Sequence, residues 1–381
     1  MSAQKSFSMP KWQWLYYAAL LGWLGTTAMH IPDGYLSPVT SLVMFLLVLP
    51  FWVIGIRKVR ETMNARSVPL IALMAAFSFV IMMFNVPLPG GTTGHASGAA
   101  LAAILLGPEV AVIAVSIALI IQAFFFGDGG ILAIGANCFN MAVVIPYVSY
   151  SIYRALSKDS PPNSKRRVAG AALGGWTGLT LGAFLTGVEF GIQPLLFKAA
   201  DGSPLYAPFP LSISIPAMVI PHMLVASTVE GLLTALVVAY LQRSNHAILT
   251  IGEKPELADQ SGGLQRLRGL LTVLAVLVVA SPLGLLAPGT AWGEWGTHEL
   301  SKMGLKAIPA GLEKLSTLWG APLSGYNLPA FGNTNLGYVI SALTGIAITA
   351  LVVWLFSLLL TAKPALKQQG LRNGTGNDDT L

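Results

Sequence analysis

The sequence predicts an all-α membrane protein, a polytopic helical bundle with about seven spans in a core and two more in a C-terminal module. Hydrophobic residues make up 54% of the 381 residues and charged residues only 10%, whereas soluble domains carry about 25% charged residues. The mean hydropathy is +0.68. Apolar runs recur along the chain at close to the ~20 residues that a helix needs to cross the hydrocarbon core of a bilayer.

The apolar runs place the spans in order. Core spans are expected near 37–56, 68–84, 110–126, 131–153, 168–188 and 211–241, and a shorter stretch at 97–107 would be a half-length or tilted span. The core domain is therefore 29–243, followed by a cytoplasmic linker at 244–265 and a C-terminal module at 266–361 with spans near 269–287 and 336–361. Residues 362–381, rich in Gly, Asn, Asp and Thr, are typical of a disordered cytoplasmic tail.

Basic residues give the orientation, because cytoplasmic loops of membrane proteins are enriched in Lys and Arg. They fall on one side of the membrane if 97–107 counts as a full crossing: Lys5 and Lys11; Arg57, Lys58, Arg60 and Arg66; Arg154, Lys158, Lys165, Arg166 and Arg167; Arg243, Lys254, Arg266 and Arg268; Lys363, Lys367 and Arg372. The outer face then holds 29–36, 85–97, 127–130, 189–210 and 288–335. The net charge of +6 is thus a topology signal, which predicts contact with membrane lipid and no nucleic-acid partner.

Residues 1–28 have the pattern of a signal peptide, with a short basic start, an apolar stretch and small residues before Met29. Cleavage after Ala28 would leave Met29 and His30 as a new N-terminus on the outer face. An uncleaved signal anchor is one alternative, and translation starting at Met29 is another.

Such an N-terminus has the donors of a metal site. A free α-amine is accessible as a nitrogen ligand near neutral pH, a histidine in second position adds an imidazole, and the amide nitrogen between them completes two fused chelate rings. A fourth nitrogen from His95 would give a planar set that suits Ni(II) or Cu(II) better than Mg or Ca. His95 follows a Pro- and Gly-rich loop that cannot be a continuous helix, and we expect this loop to fold back into the bundle. The alternative is a loop histidine that faces water.

Other polar residues lie near the outer ends of spans. Four of them would orient His30 and His95, or else form hydrogen bonds between helices: Gln122, Asp128, Asn137 and Asn140. Asp33 is a turn former or a contributor to the metal site. Polar packing, or a path through the bundle, is expected for Glu189, His222 and Glu230, and Cys138 is expected to be a buried hydrophobe.

The sequence carries little that indicates catalysis, and we expect no catalytic residues and no cofactor. It contains no Gly-x-x-x-x-Gly-Lys-[Ser/Thr] segment, so ATP hydrolysis would come from separate subunits. A membrane metalloenzyme would need a ligand helix such as His-Glu-x-x-His, and an ion-driven secondary metal transporter would have internally repeated halves. Neither signal is present, and both classes stand as the alternatives.

Three segments, 29–38 (MHIPDGYLSP), 86–95 (VPLPGGTTGH) and 122–142, resemble the CbiM/NikM family over about 29–243. These proteins are the substrate-binding (S) components of energy-coupling factor transporters in prokaryotic plasma membranes. The resemblance implies capture of Ni(II) or Co(II) at the outer face through the Met29 amine, the amide and imidazole of His30, and His95. It also implies a transmembrane coupling subunit and two ATPase subunits as partners. Cobalt uptake would serve cobalamin biosynthesis and nickel uptake nickel enzymes.

The resemblance extends to two further features. Ala72 and Ala76 have the Ala-x-x-x-Ala spacing with which S components dock on the coupling subunit. The segment 308–315 (IPAGLEKL) is similar to the Pro-Asp-Gly-Leu-Glu motif of the PDGLE accessory domain, which assists metal loading, although Ala310 replaces the aspartate. An unrelated hairpin is the alternative for this module.

Overall fold

The computed structural model describes residues 30–62, 68–89, 92–244, 249, 267–287, 290–302, 304–305, 307–328 and 334–361. The predictions for the signal segment 1–28, for Met29, for the tail 362–381 and for most of the linker 244–265 fall outside these residues.

The predicted helical membrane bundle is confirmed. Seven helical segments form the core: α1 (Pro38–Thr62), α2 (Val68–Met82), α3 (Ala99–Leu106), α4 (Pro108–Phe126), α5 (134–157), α6 (Lys165–Leu196) and α7 (Leu211–Ser244). The C-terminal module consists of α8 (Arg268–Leu286), two short helices α9 (Thr297–Lys302) and α10 (Ala310–Leu315), and α11 (Thr334–Thr361). Six of the described helices are long and apolar enough to cross a membrane.

Small residues allow the core helices to approach closely. In α6, a Cβ on Gly174 would lie 2.5 Å from the carbonyl oxygen of Ser149 in α5, and the Ser149 hydroxyl donates to the Gly174 carbonyl at 2.9 Å. On another side of α6, a Cβ on Gly175 would lie 3.2 Å from Cα of Gly231 in α7. Close contact of this kind replaces the hydrophobic driving force that helices lack in lipid.

The short helix α3 has only 8 residues, about 12 Å at 1.5 Å per residue. The chain before it forms a small hairpin, β1 (Val86–Leu88) paired antiparallel with β2 (Thr92–Gly94), and then runs buried through His95 to Ser97. The expected fold-back of this loop into the bundle is therefore confirmed. The loop and α3 together bring the chain to Gly107. Two residues later, the carbonyl oxygen of Glu109 lies against Gly55, near the basic end of α1.

The C-terminal module packs on two sides of the core. Its last helix, α11, lies along α2, where Gly345 faces Phe79 and the Tyr338 hydroxyl donates to the Met83 carbonyl at 2.8 Å. Its outer loop lies on the outer face of the core, where the Gly311 amide donates to the Leu205 carbonyl at 2.9 Å.

This packing argues against the predicted docking face at Ala72 and Ala76. Ala76 is 2% exposed, and Ala72 is partly buried. The reason is that α2 is enclosed by α11, α4 and α8 of the same chain. The Ala-x-x-x-Ala spacing does permit close helix approach, but in this structure the neighbours come from within the chain.

Candidate metal centre

Two buried histidines from distant segments meet near the outer end of the bundle. The ring centroids of His30 and His95 are 5.1 Å apart, with the ring planes at 77°. His30 is 3% exposed and His95 6%. The structure thus brings together the two side chains that the sequence assigns to metal binding, while their role as ligands remains a prediction.

His30 is held by the segment that connects α4 to α5. Its Nδ1 lies 3.1 Å from Asp128 Oδ1 and 3.3 Å from the Asp128 carbonyl oxygen. The next residue, Ile31, pairs with Asn137 through both of its backbone polar groups: the Ile31 amide donates to Asn137 Oδ1 at 3.0 Å, and Asn137 Nδ2 donates to the Ile31 carbonyl at 3.1 Å. Asp128 and Asn137 therefore orient His30, one through the ring and one through the backbone.

Asp33 fixes the same segment from the other direction. It lies in a turn, as predicted, and its carboxylate accepts hydrogen bonds from the backbone amides of Ile131 at 2.9 Å and Leu132 at 2.8 Å. Through these contacts the Asp33 carboxylate connects two loops, so its role in the structure is to stabilise their packing.

Glycine is required where the two loops touch. Gly129 has φ +95°, and a Cβ there would lie 3.0 Å from His30 Cβ and 3.1 Å from Asn137 Nδ2. At Gly130 a Cβ would overlap Asp33. The Gly-rich sequence after Asp128 thus allows the backbone to approach His30 closely.

A tyrosine from the C-terminal module completes this network. The Tyr326 hydroxyl donates to Asp128 Oδ2 at 2.6 Å, and Gln122 Nε2 donates to the Tyr326 oxygen at 2.8 Å. Gln122 therefore acts on Asp128 through Tyr326. Asn140 is directed elsewhere, since its Nδ2 donates to Glu189 Oε2 at 3.0 Å and to the Thr186 hydroxyl at 3.1 Å.

The charges of His30 and Asp128 are coupled. Burial works to lower the pKa of His30, but the negative charge of Asp128 and its hydrogen bonds outweigh burial and raise that pKa above its usual value. For Asp128, burial works to raise the pKa, and the opposing charge and hydrogen bond of His30 bring it down to about 2. The coupling therefore favours an imidazolium paired with a carboxylate when no metal is bound.

His95 has the opposite electrostatic character. Its Nδ1 lies 3.0 Å from the carbonyl oxygen of Ala96, and because a carbonyl only accepts, Nδ1 carries the proton and Nε2 has a free lone pair. Burial, followed by the positive charge of His30, lowers the pKa of His95 to about 3. His95 therefore stays neutral over the physiological pH range.

The loop that carries His95 is anchored by Glu230 of α7. Glu230 Oε2 accepts from the backbone amides of Ser97 at 2.7 Å and Gly98 at 3.0 Å, and Oε1 accepts from Ala100 at 3.2 Å. The sequence suggested polar packing or a path for Glu230. Its hydrogen bonds are those of an anchor for the turn between His95 and α3, while His222 bonds separately to the Met218 carbonyl at 2.7 Å.

A cavity of about 70 Å³ is lined by both histidines. Among the side chains that line it are His30, His95, Asn137, Asn140, His222 and Glu294. Within the described part of the chain, His30 Nε2 and His95 Nε2 have no hydrogen-bond partner. No group of three or more His, Cys, Asp or Glu side chains among those residues could hold a metal ion, so a site in this cavity needs donors of another kind as well.

Helix irregularities cluster around this cavity. Three π-helical segments, at Gln122–Phe126, Cys138–Val144 and His222–Ala226, each supply a residue of the site or its surroundings. Such bulges are common at functional sites because they turn side chains out of the regular helical register. Cys138 itself is buried in the core, as expected.

Two residues near the site, Tyr326 and Glu294, were missed by sequence reasoning. Both belong to the outer loop of the C-terminal module, and their positions depend on how that loop folds over the core. A weak signal did exist for Glu294, since acidic residues are few in this protein and this one lies on the same predicted face as His30 and His95.

Comparison with known proteins identifies both parts of the chain. The CbiM family model, described as the cobalt uptake substrate-specific transmembrane region, matches residues 30–248, and the PDGLE domain model matches 267–362. The fused nickel transport protein NikMN of Rhodobacter capsulatus is 50% identical over 335 residues, which cover 84% of this chain and 94% of the relative. The probable fused nickel transport protein LarMN of Lactiplantibacillus plantarum is 39% identical over 332 residues, 85% of this chain and 96% of the relative.

A solved structure is similar over more than half of the chain. The crystal structure of a truncated transition metal transporter shares 50% sequence identity and superposes with a TM-score of 0.53, covering 57% of this chain and 99% of that one.

Proposed function

The chain belongs to the CbiM family of nickel and cobalt transport proteins and carries a PDGLE domain behind the CbiM region, and from this membership we propose that it is the substrate-specificity subunit of an ATP-driven importer of the energy-coupling factor type. It captures Ni(II) or Co(II) at the outer face. The observation that carries the proposal is the cavity at the outer end of the bundle, lined by two buried imidazoles whose Nε2 atoms have no partner among the described residues.

The proposed ligands are four nitrogens. The amine of Met29, the amide and imidazole of His30, and Nε2 of His95 would form a planar set, provided that the mature chain begins at Met29. This set explains how two histidines suffice, since two of the four donors are backbone nitrogens. Planar nitrogen coordination suits Ni(II), and the same donors accept Co(II).

The proposed chelate requires a particular nitrogen of the His30 ring to face the metal. A six-membered ring that includes the His30 amide nitrogen must close through Nδ1, yet Nδ1 now faces Asp128. A half turn of the imidazole about its Cβ–Cγ bond brings Nδ1 to the cavity side and Nε2 to the Asp128 side. Asp128 would then accept from Nε2–H, the carboxylate–histidine–metal arrangement that fixes the tautomer of many metal ligands.

Metal capture in this site releases protons. His30 must lose the proton that Asp128 stabilises, and the amine and the amide must be deprotonated, whereas His95 is already neutral. After deprotonation the buried site carries a net negative charge, which attracts a divalent cation. Protons compete with the cation for the same nitrogens, so metal binding is favoured only when the pH is high enough.

Transport beyond capture requires partners. The 381 residues contain no Gly-x-x-x-x-Gly-Lys-[Ser/Thr] segment, so we assign ATP hydrolysis to two separate ATPase subunits, coupled to this chain by a transmembrane subunit. The loaded site would then be turned toward the cytoplasm. The mature N-terminus lies on the outer side of a prokaryotic plasma membrane, as the basic loops indicate.

The experiment combines the N-terminal residue with metal affinity. The full chain is expressed in a bacterial membrane and extracted in detergent, its first residue is determined by intact mass, and Ni(II) and Co(II) binding is measured by calorimetry. We expect a start at Met29 and a loss of binding of at least about 100-fold for His95→Ala. His298→Ala removes an exposed histidine and should bind like the wild type. A chain that retains residues 1–28 and still binds tightly would overturn the amine ligand, and unchanged binding in His95→Ala would overturn the site.

A further inference from the structure

Glu294 stands between two cavities at the outer end of the protein. The inner one is the 70 Å³ cavity of the two histidines. The outer one, of about 230 Å³, is lined by Asp33, Tyr35, Glu299 and Trp319 among others. Glu294 lines both cavities, so a cation that moves from the outer to the inner cavity passes this carboxyl group.

The position of Glu294 is fixed by its neighbours in the chain. Trp292 and Trp295 are 5% and 6% exposed and belong to the cluster that packs on Tyr35 and Phe190. Gly293 between them has φ +82°, and a Cβ there would lie 2.6 Å from Phe190 Cε2. The two buried tryptophans and Gly293 therefore fix the backbone on either side of Glu294, whose side chain is partly buried at the cavity.

Four of the residues that line the inner cavity have one property in common. Within the described ranges, four cavity-lining residues each have a buried polar atom without a hydrogen-bond partner: His30 Nε2, His95 Nε2, Asn140 Oδ1 and Glu294 Oε2. Buried polar atoms without a partner are rare and costly. Three of these residues are more than nine-tenths buried, with exposed fractions of 3%, 6% and 1% for His30, His95 and Asn140. A divalent cation that displaces the His30 proton would satisfy several of these atoms together.

Glu294 is nevertheless separate from the proposed final site. Among the described residues it forms no group of three with His30 and His95 that could hold a metal ion. A carboxylate at the entrance and imidazoles farther in suit two stages of one path, because a hard oxygen donor binds a hydrated divalent cation loosely and nitrogen donors bind a transition metal more tightly.

Resting on the proposed function, we propose that Glu294 of the PDGLE domain is an entry ligand, which receives a hydrated divalent transition-metal ion from the outer cavity and passes it to the imidazoles of His30 and His95. This role gives the PDGLE domain a direct part in metal loading. Burial, followed by the negative charge of Asp128, raises the pKa of Glu294 well above its usual value, and an arriving cation would offset that cost of ionisation.

The test is kinetic, since a group that lowers a barrier changes both rates and leaves the equilibrium constant alone. Full-length protein in detergent is mixed with Ni(II) or Co(II) in a stopped-flow instrument, and binding is followed by quenching of the intrinsic fluorescence of the tryptophans. For Glu294→Gln we expect association and dissociation both slowed about tenfold, with the Kd changed less than about threefold. Glu294→Asp keeps the charge and should recover much of the rate.

The control is Glu313→Gln, which removes an exposed carboxylate of the same domain and should leave both rates unchanged. Unchanged rates in Glu294→Gln would overturn the entry role while wild-type binding still supports the proposed function. A Kd raised about 100-fold at an unchanged association rate would also overturn it, because Glu294 would then be a ligand of the final site. If Glu294→Gln does not fold, Glu294→Ala gives the same comparison, and wild-type rates in that variant would overturn the entry role. A wild type that binds neither metal removes the proposed function itself.

Discussion

The hydroxyl of Tyr326 donates a 2.6 Å hydrogen bond to Oδ2 of Asp128, whose Oδ1 lies 3.1 Å from Nδ1 of His30. A residue of the PDGLE domain therefore holds the carboxylate that orients a proposed metal ligand of the CbiM domain. The two residues are 198 positions apart in the chain, so the contact exists only when the domains are docked.

Tyr326→Phe tests whether this contact supports metal binding. We expect metal affinity to fall about tenfold, the scale of the loss when a partner of a metal-binding histidine is removed. Tyr338→Phe is the matched control, because the Tyr338 hydroxyl is also buried but donates to the Met83 carbonyl. Calorimetry with Ni(II) on both variants gives the comparison, and equal affinities would show that Asp128 needs no hydrogen bond from the PDGLE domain.

Asp128→Asn tests the proton balance of the site. Asp128 raises the pKa of His30, so at any given pH a larger fraction of His30 carries a proton that metal binding must release. Without the charge of Asp128, burial lowers the pKa of His30, and the imidazole is already neutral before binding. Metal binding should then release fewer protons at neutral pH, by as much as about one.

Proton release is measured by calorimetry at one pH in buffers of different ionisation enthalpy. The sign follows from the raised pKa: wild-type affinity falls as the pH drops through the His30 pKa, and in Asp128→Asn this fall moves to lower pH. His95, with a pKa of about 3, contributes nothing to either change. Equal proton release in both proteins would contradict the ion pair.

The helices and the meeting of the two histidines could be predicted from sequence because each depends on a local signal. Apolar runs mark the spans, and basic loops place the segments of His30 and His95 on one face. The contacts of Tyr326 and Glu294 have no such signal, since they depend on how two domains dock. Ala72 and Ala76 illustrate the same limit: their spacing predicts a close helix contact, but not that α11 and its neighbours would enclose α2.

Glu230→Gln tests the anchor of the His95 loop. The carboxylate accepts from the amides of Ser97, Gly98 and Ala100, and a glutamine places an NH₂ group against one or more of these donors. A buried donor left without an acceptor costs about 1–3 kcal/mol, so we expect a lower thermal midpoint in detergent together with weaker metal binding. Glu109→Gln, at the opposite end of the bundle, should change neither, and a Glu230→Gln protein with wild-type affinity would show that the loop holds His95 without this anchor.

Gly129→Ala separates backbone strain from displacement of His30. Gly129 has φ +95°, and the added methyl group would lie 3.0 Å from His30 Cβ. Gly202 offers a matched control, because its φ is +83° and a Cβ there meets nothing within 4 Å. Both alanine variants are destabilised by about 1–3 kcal/mol because alanine is strained at a positive φ. Only in Gly129→Ala does the added methyl group also contact His30. We therefore expect similar losses of thermal stability and a loss of Ni(II) affinity in Gly129→Ala alone. If the two variants bind metal equally well, the close approach of the Gly129 backbone is not what positions His30.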